Sequence, residues 1–238
     1  MVSDYRPDAA LLARYRRDYE ASKSRGNPGG PDWLQLQDGV NVIRILPPYA
    51  ETDPYNFIVG QHYKLGEGQR TSVFCPRFTF GVDGRTPLAD WDCPICEYTD
   101  LVKGSARRGS ELSRARDLGV TTRWVCQVLD LDDDVDTPLL WGFGPAVYEQ
   151  LLVLLTGSSP DLYDVDEGQN IVVKKSRQER STTYVLSPEE GASPVSDAAL
   201  ASVVDLKVYI KSRILGSEEL ERILNGEEPP GDNRGSGA

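Results

Sequence analysis

The run TTRWVCQVLDL, residues 121–131, is the most strand-like stretch of this 238-residue chain, dense in Thr, Val, Trp and Cys with no Gly or Pro to interrupt it. Its neighbours extend the pattern. TPLLWGFG (137–144) reads as a partner strand, with DDD (132–134) as the turn between them. Upstream, VNVIRILPP (40–48) is rich in β-branched residues and stops at two prolines, as a strand does, and NFIVGQHYKL (56–65) reads as a second strand. Downstream, residues 145–155 suit a short helix with Val147, Leu151, Leu154 and Leu155 inward. NIVVKKSRQERSTTYVLS (170–187) reads as a β-hairpin with a basic tip, and residues 197–210 as a helix. The expected fold class is mainly β with α, a small barrel with flanking helices and no visible repeat.

The chain is long enough to bury a real core without disulfides or metal. It contains no apolar run near 18 residues, and its first 17 residues do not resemble a signal peptide, so a cytoplasmic protein without membrane contact is expected. Four cysteines in a reducing compartment are expected as thiolates or core thiols. The formal net charge of -11 argues against phosphate binding, yet the charge is segregated. Basic residues gather at 14–25, at 103–123 and at 174–180, and acidic ones at 129–136, 161–167 and 218–228. The Gly/Pro run 26–31 reads as a linker after a helix over 7–24. The expected organisation is therefore a basic helical arm and linker (1–30), a core (31–215) containing a module at 60–98, and an acidic C-terminal tail (216–238).

That module holds the only histidine and three of the four cysteines. His62, Cys75, Cys93 and Cys96 offer one imidazole and three sulfurs, enough to close a tetrahedral shell of the structural zinc type. Cys93-Pro94-Ile95-Cys96 is a C-x-x-C knuckle, and both Cys75 and Cys93 precede proline, so each begins a rigid turn. The alternative is a Cys93/Cys96 redox pair; Cys126, in mid-strand, reads as a buried thiol rather than a replacement ligand. Catalysis is not expected. The H-x-E of a nucleobase deaminase is missing, because Tyr63 and Lys64 follow His62; there is no second histidine to activate a nucleophile and no phosphate-binding G-x-x-x-x-G-K-[ST] loop.

The window 60–97, followed by TTRWVCQVLDL and EGQNIVVKKSRQ (167–178), resembles the single-stranded DNA-binding (helix-destabilising) protein family of T-even-like bacteriophages, over roughly residues 33–186. The resemblance implies a five-stranded OB-fold barrel with an inserted zinc subdomain, one structural zinc on His62, Cys75, Cys93 and Cys96, and single-stranded DNA in a basic cleft. It also implies self-association through the N-terminal arm, echoed in LLARYRRDYEASKSR (11–25), and binding of replication and recombination proteins through the acidic tail. The implied function is the coating of single strands in phage DNA replication, recombination and repair; a zinc-ribbon protein–protein adaptor is the alternative.

A sequence-tolerant single-strand binder needs cations along a groove and aromatic faces for stacking. Trp124 beside Arg123, Trp141 and Phe143 on the next strand, and Tyr184 opposite Lys174, Lys175 and Arg177 are the candidates. Arg107, Arg108, Arg114 and Arg116 would form one bank of the cleft, and Lys174, Lys175 and Arg177 the other. Tyr63, Phe78 and Phe80 are expected to pack around the zinc.

Overall fold

The computed structural model describes residues 31–69, 71–105, 109–157, 162–179 and 181–227. The expected N-terminal arm, Arg107, Arg108, Arg180 at the hairpin tip and residues 228–238 lie outside them. The chain is a mixed α/β protein built on a mostly antiparallel sheet of seven strands: β1 (Gly39–Ile45), β2 (Phe57–Leu65), β3 (Thr71–Phe74), β4 (Thr121–Asp130), β5 (Leu139–Phe143), β6 (Ile171–Gln178) and β7 (Ser181–Pro188). The order is β3-β2-β4-β1-β6-β7, with β5 also pairing to β4. The 121–131 run is thus an inner strand. Its first half pairs with β2 (Val125 opposite Phe57) and its second with β1 (Val128 opposite Ile45), and it is buried continuously from Val125 to Leu129. Strands covered on both faces are mostly apolar, and the one polar member of the run, Gln127, exchanges both hydrogen bonds of its amide with the Val204 backbone.

Among the described residues six α-helices accompany the sheet: α1 (Pro94–Ser105), α2 (Ser110–Asp117), α3 (Pro145–Thr156), α4 (Asp197–Ala201), α5 (Leu206–Ser212) and α6 (Ser217–Leu224). The chain divides into two compact units. The first comprises residues up to Tyr49, Cys126–Gly142 and Ala146–Val204. Its core contains Ile43, Leu140, Leu151, Ile171 and Val173, all at 0% exposure, and α3 turns Val147, Leu151 and Leu154 inward as its spacing predicts, whereas Leu155, expected with them, is only half-buried. Arg44, at 2% exposure, donates to the carbonyls of Leu162, Asp164, Gln169 and Ser193 and so pins the acidic 162–169 loop. The guanidinium fits because residue 168 is glycine; a Cβ there would collide with both its terminal nitrogens.

The second unit comprises Ala50–Val125, Phe143–Pro145 and Asp205 onward. It contains β2, β3, α1, α2, α5 and α6. Two sequence expectations are corrected by what packs here and beside it. The single helix expected over 197–210 is two, α4 and α5, because Ser196 and Asp205 each turn a side-chain oxygen onto a backbone N–H, of Ala199 and Val208, and so start separate helices. The segment expected as an acidic tail from residue 216 begins instead with α6. Leu220 and Ile223 sit one turn apart on its inner stripe and are 0% and 1% exposed, while Glu218, Glu219 and Glu221 supply the acidity that makes the segment read as tail. The hydroxyl of Ser217 donates to the Asp92 carbonyl, and the Trp91 indole donates to that of Leu215.

Candidate functional site

His62, Cys75, Cys93 and Cys96 are all buried, and their ligand atoms lie within 4.8 Å of one another. Three local devices deliver them. His62 occupies an inward position of β2, with Val73 of β3 opposite it. Cys75 follows β3; its backbone N–H donates to the Gly60 carbonyl at 2.8 Å, and Pro76 starts a single 3₁₀ turn after it. That approach requires glycine at position 60, where a Cβ would lie 2.6 Å from that of Phe78. Cys93 and Cys96 straddle the start of α1, one helical turn apart and so on one side. The backbone N–H of Cys96 reaches the Cys93 sulfur.

The spacings suit a tetrahedral ion. Zinc at its usual bond lengths implies sulfur–sulfur edges of about 3.8 Å and sulfur–nitrogen edges of about 3.5 Å. Here Cys75 Sγ and Cys96 Sγ are 3.5 Å apart, and His62 Nε2 is 3.4 Å from Cys93 Sγ and 3.6 Å from Cys96 Sγ. The His62 Nδ1–H donates to the Leu118 carbonyl at 2.7 Å, which leaves the Nε2 lone pair facing the sulfurs. The four groups are therefore compatible with a structural zinc site, whose ion would cross-link β2, β3 and α1 with no position left open for substrate.

The electrostatics of the cluster agree. Burial alone would push the His62 imidazolium down, but hydrogen bonds to Cys75 and Cys93 outweigh it and raise its pKa to about 10. The Cys93 thiol is driven far down, chiefly by hydrogen bonds from Cys75 and Cys96, while hydrogen bonds to Cys75 and Cys93 hold Cys96 far up. A metal-free cluster thus stores protons that a cation would displace. Cys126 is buried in the other unit, and burial alone pushes its thiol up.

Around the cluster, Leu65, Val73, Ile95, Leu118, Leu220 and Ile223 form one apolar core. Of the three rings expected there, Phe78 packs against it, but Tyr63 and Phe80 do not join it. Tyr63 follows His62 on β2 and its side chain alternates to the other face, where its hydroxyl donates to Gln61. Leu118, Leu220 and Ile223 all lie outside the 60–98 module. Only the amphipathic spacing of Leu220 and Ile223 pointed to a packed element there.

The expected DNA contacts separate into classes. Trp141 and Phe143 are each 3% exposed and present no ring face, which corrects their assignment as stacking residues. Trp124, Arg123 and Tyr184 are half-buried. Lys174, Lys175 and Arg177 do not form one bank, because β6 alternates its faces. Lys175 and Arg177 share the face of Tyr184, which lies directly opposite Lys175; Lys174 turns the other way, between the exposed Val40 and Val185. Lys175 is further engaged by the Leu36 carbonyl at 2.7 Å and by Asp38. Arg114 and Arg116 are exposed on α2, Arg114 donating to the Leu224 carbonyl and lying over the Tyr98 ring. Among the described residues, no helix is long and apolar enough to cross a membrane. No family model matches this chain, and no curated protein matches it.

Proposed function

We propose that this is a non-catalytic protein that coats single-stranded DNA, an OB-type β-barrel carrying one structural zinc. The observation that carries the reading is the far end of the β6–β7 hairpin. Ile171 and Val173 are buried on one face of β6; further along that face come Lys175, opposite Tyr184, and the exposed Arg177, opposite Thr182. A half-exposed ring opposite Lys175 and diagonal to the exposed Arg177, on a hairpin that runs out beyond its own core, is what sequence-tolerant stacking and phosphate neutralisation require. The closed His/Cys₃ shell supports a stabilising metal rather than a reactive one.

Titrating the zinc-loaded protein with oligo(dT) while following tryptophan and tyrosine emission tests the proposal. Saturable quenching is expected, with an affinity that falls on a log-log slope of about -0.7 per neutralised phosphate as salt rises. An unaltered spectrum, or a flat salt response, rejects it in favour of the protein–protein adaptor, which predicts no strand affinity.

A further inference from the structure

A cleft of about 660 Å³ opens in the second unit between the turn after β2 and helix α2. Its floor is Leu65 and Leu118, both 2% exposed, and its walls carry Lys64, Gln69, Ser110, Ser113, Arg114 and Asp117. Two features distinguish it from an ordinary surface furrow. The first is its backbone. Lys64 (φ 59°) and Gln69 (φ 56°) are the two non-glycine residues of the described chain held in the left-handed region, and both line this cleft, together with the left-handed Gly66 and Gly68. Such conformations persist where the surrounding structure imposes them, and they concentrate at ligand sites.

The second feature is its charge. Among the described side chains that line it, Lys64 and Arg114 against Asp117 leave one net positive charge, in a chain of net charge -11. Two serine hydroxyls stand beside them. They belong to the first turn of α2, whose cap position, Gly109, has no side chain to satisfy the leading backbone N–H groups. The first-turn acid, Glu111, does not line the cleft. The Lys64–Asp117 pair is 2.8 Å long but half-exposed on both sides, so an incoming anion can compete for the ammonium at little cost to the fold.

We infer that this cleft binds a phosphate group, held by Arg114, Lys64 and the hydroxyls of Ser110 and Ser113, with Asp117 as a built-in competitor. A dianionic oxyanion matches the donor set, which contains two cations and two hydroxyls around a space large enough for a mononucleotide. The phosphate comes either from a DNA strand or from a free phosphorylated small molecule. The inference stands whether or not the protein coats single strands.

The test uses the zinc-loaded full chain, amide NMR and three probes: inorganic phosphate, dTMP and oligo(dT). Phosphate is expected to shift the amide signals of Gly68, Ser110 and Ser113. Asp117→Asn is expected to tighten phosphate binding several-fold, because it removes the competing carboxylate and releases Lys64. Arg114→Gln is expected to weaken binding about tenfold, the loss typical of a charge-assisted hydrogen bond, and Arg77→Gln, whose partner is Asp100 on α1 away from the cleft, to change nothing. The gain in Asp117→Asn cannot come from damage to the fold. Absence of amide shifts at tens of millimolar phosphate, or unchanged affinity in Asp117→Asn, overturns the inference. If oligo(dT) moves the same amides and is tightened by Asp117→Asn, the strand is the source; if only phosphate and dTMP do so, the source is a small molecule, and the strand-coating reading, which rests on the β6–β7 hairpin, is judged by its own titration.

Discussion

The Nδ1 atom of His62 and the carbonyl oxygen of Leu118 are 2.7 Å apart across 56 positions of chain, so the turn that ends α2 selects the tautomer of the one nitrogen ligand in the cluster. Leu118 is itself 2% exposed and wedged into the apolar core around the cysteines. Leu118→Ala should therefore loosen that carbonyl and weaken zinc binding about tenfold, the lower end of what losing a ligand's supporting hydrogen bond costs. Competition with a chromophoric chelator measures it; unchanged metal affinity would show that the carbonyl does not orient the ring.

One zinc per chain is expected on His62, Cys75, Cys93 and Cys96. Elemental analysis of the purified protein should find it, and Cys93→Ser with Cys96→Ser should lose it. Because Leu220 and Ile223 pack into the same core, chelation should also expose the amides of α6 to hydrogen exchange. Exchange confined to residues 60–98 would return α6 to the status of a tail. Leu220→Ala, which empties a 0%-exposed site, should cost about 2–5 kcal/mol of stability.

Removing the metal should make stability depend on alkaline pH. The folded pKa of His62 is raised from 6.5 to about 10 by the neighbouring sulfurs, against the effect of burial. A raised pKa contributes stability that is complete below 6.5 and disappears as pH climbs through about 10. Urea midpoints of the metal-free, reduced protein should hold between pH 6.5 and 9, where the proton His62 keeps is offset by the one Cys93 has lost, and fall as pH climbs from 9 through about 10. Zinc uptake at pH 7 should release the His62 proton, visible as buffer-dependent heats in calorimetry. Midpoints unchanged as pH climbs from 9 through about 10 would argue that the imidazole is neutral in the metal-free fold.

On the proposed strand-coating reading, the two faces of β6 should behave differently. Arg177→Gln should weaken oligo(dT) binding and reduce the salt slope by about one phosphate's share, roughly 0.7. Lys174→Gln, on the opposite face, should leave both unchanged. Equal losses at both positions would mean that the strand does not follow the Tyr184 face.

The rings divide in the same manner. Tyr184→Ala should cost about 1–3 kcal/mol of binding with the salt slope intact. Trp141→Ala should cost about 3–5 kcal/mol of folding stability, since that ring is 3% exposed. Denaturant melts and strand titrations of both variants separate the two roles, and a stable Trp141→Ala protein with lost affinity would reverse them.

Much of this molecule is legible in one dimension. The β-branched runs at 40–48, 56–65, 121–131 and 170–187 each contain a strand, and the inward set of α3 follows from its spacing, because both depend on local backbone preference and on a period of two or 3.6. The ligand set was legible for a different reason: a lone histidine and a C-x-x-C pair bring their chemistry with them, whatever the fold. Tertiary structure decided the rest. Strand β3, four residues long, is too short for its pattern to stand out, and it exists through pairing with β2. Charge hid α6, since the glutamates on its outer face dominate its composition while two aliphatic residues determine its place. Which cations share a face with Tyr184 follows from strand register, and whether Trp141 lies in core or on surface depends on what packs over it. Both are properties of neighbours brought together from distant parts of the chain, and residue type alone does not encode them.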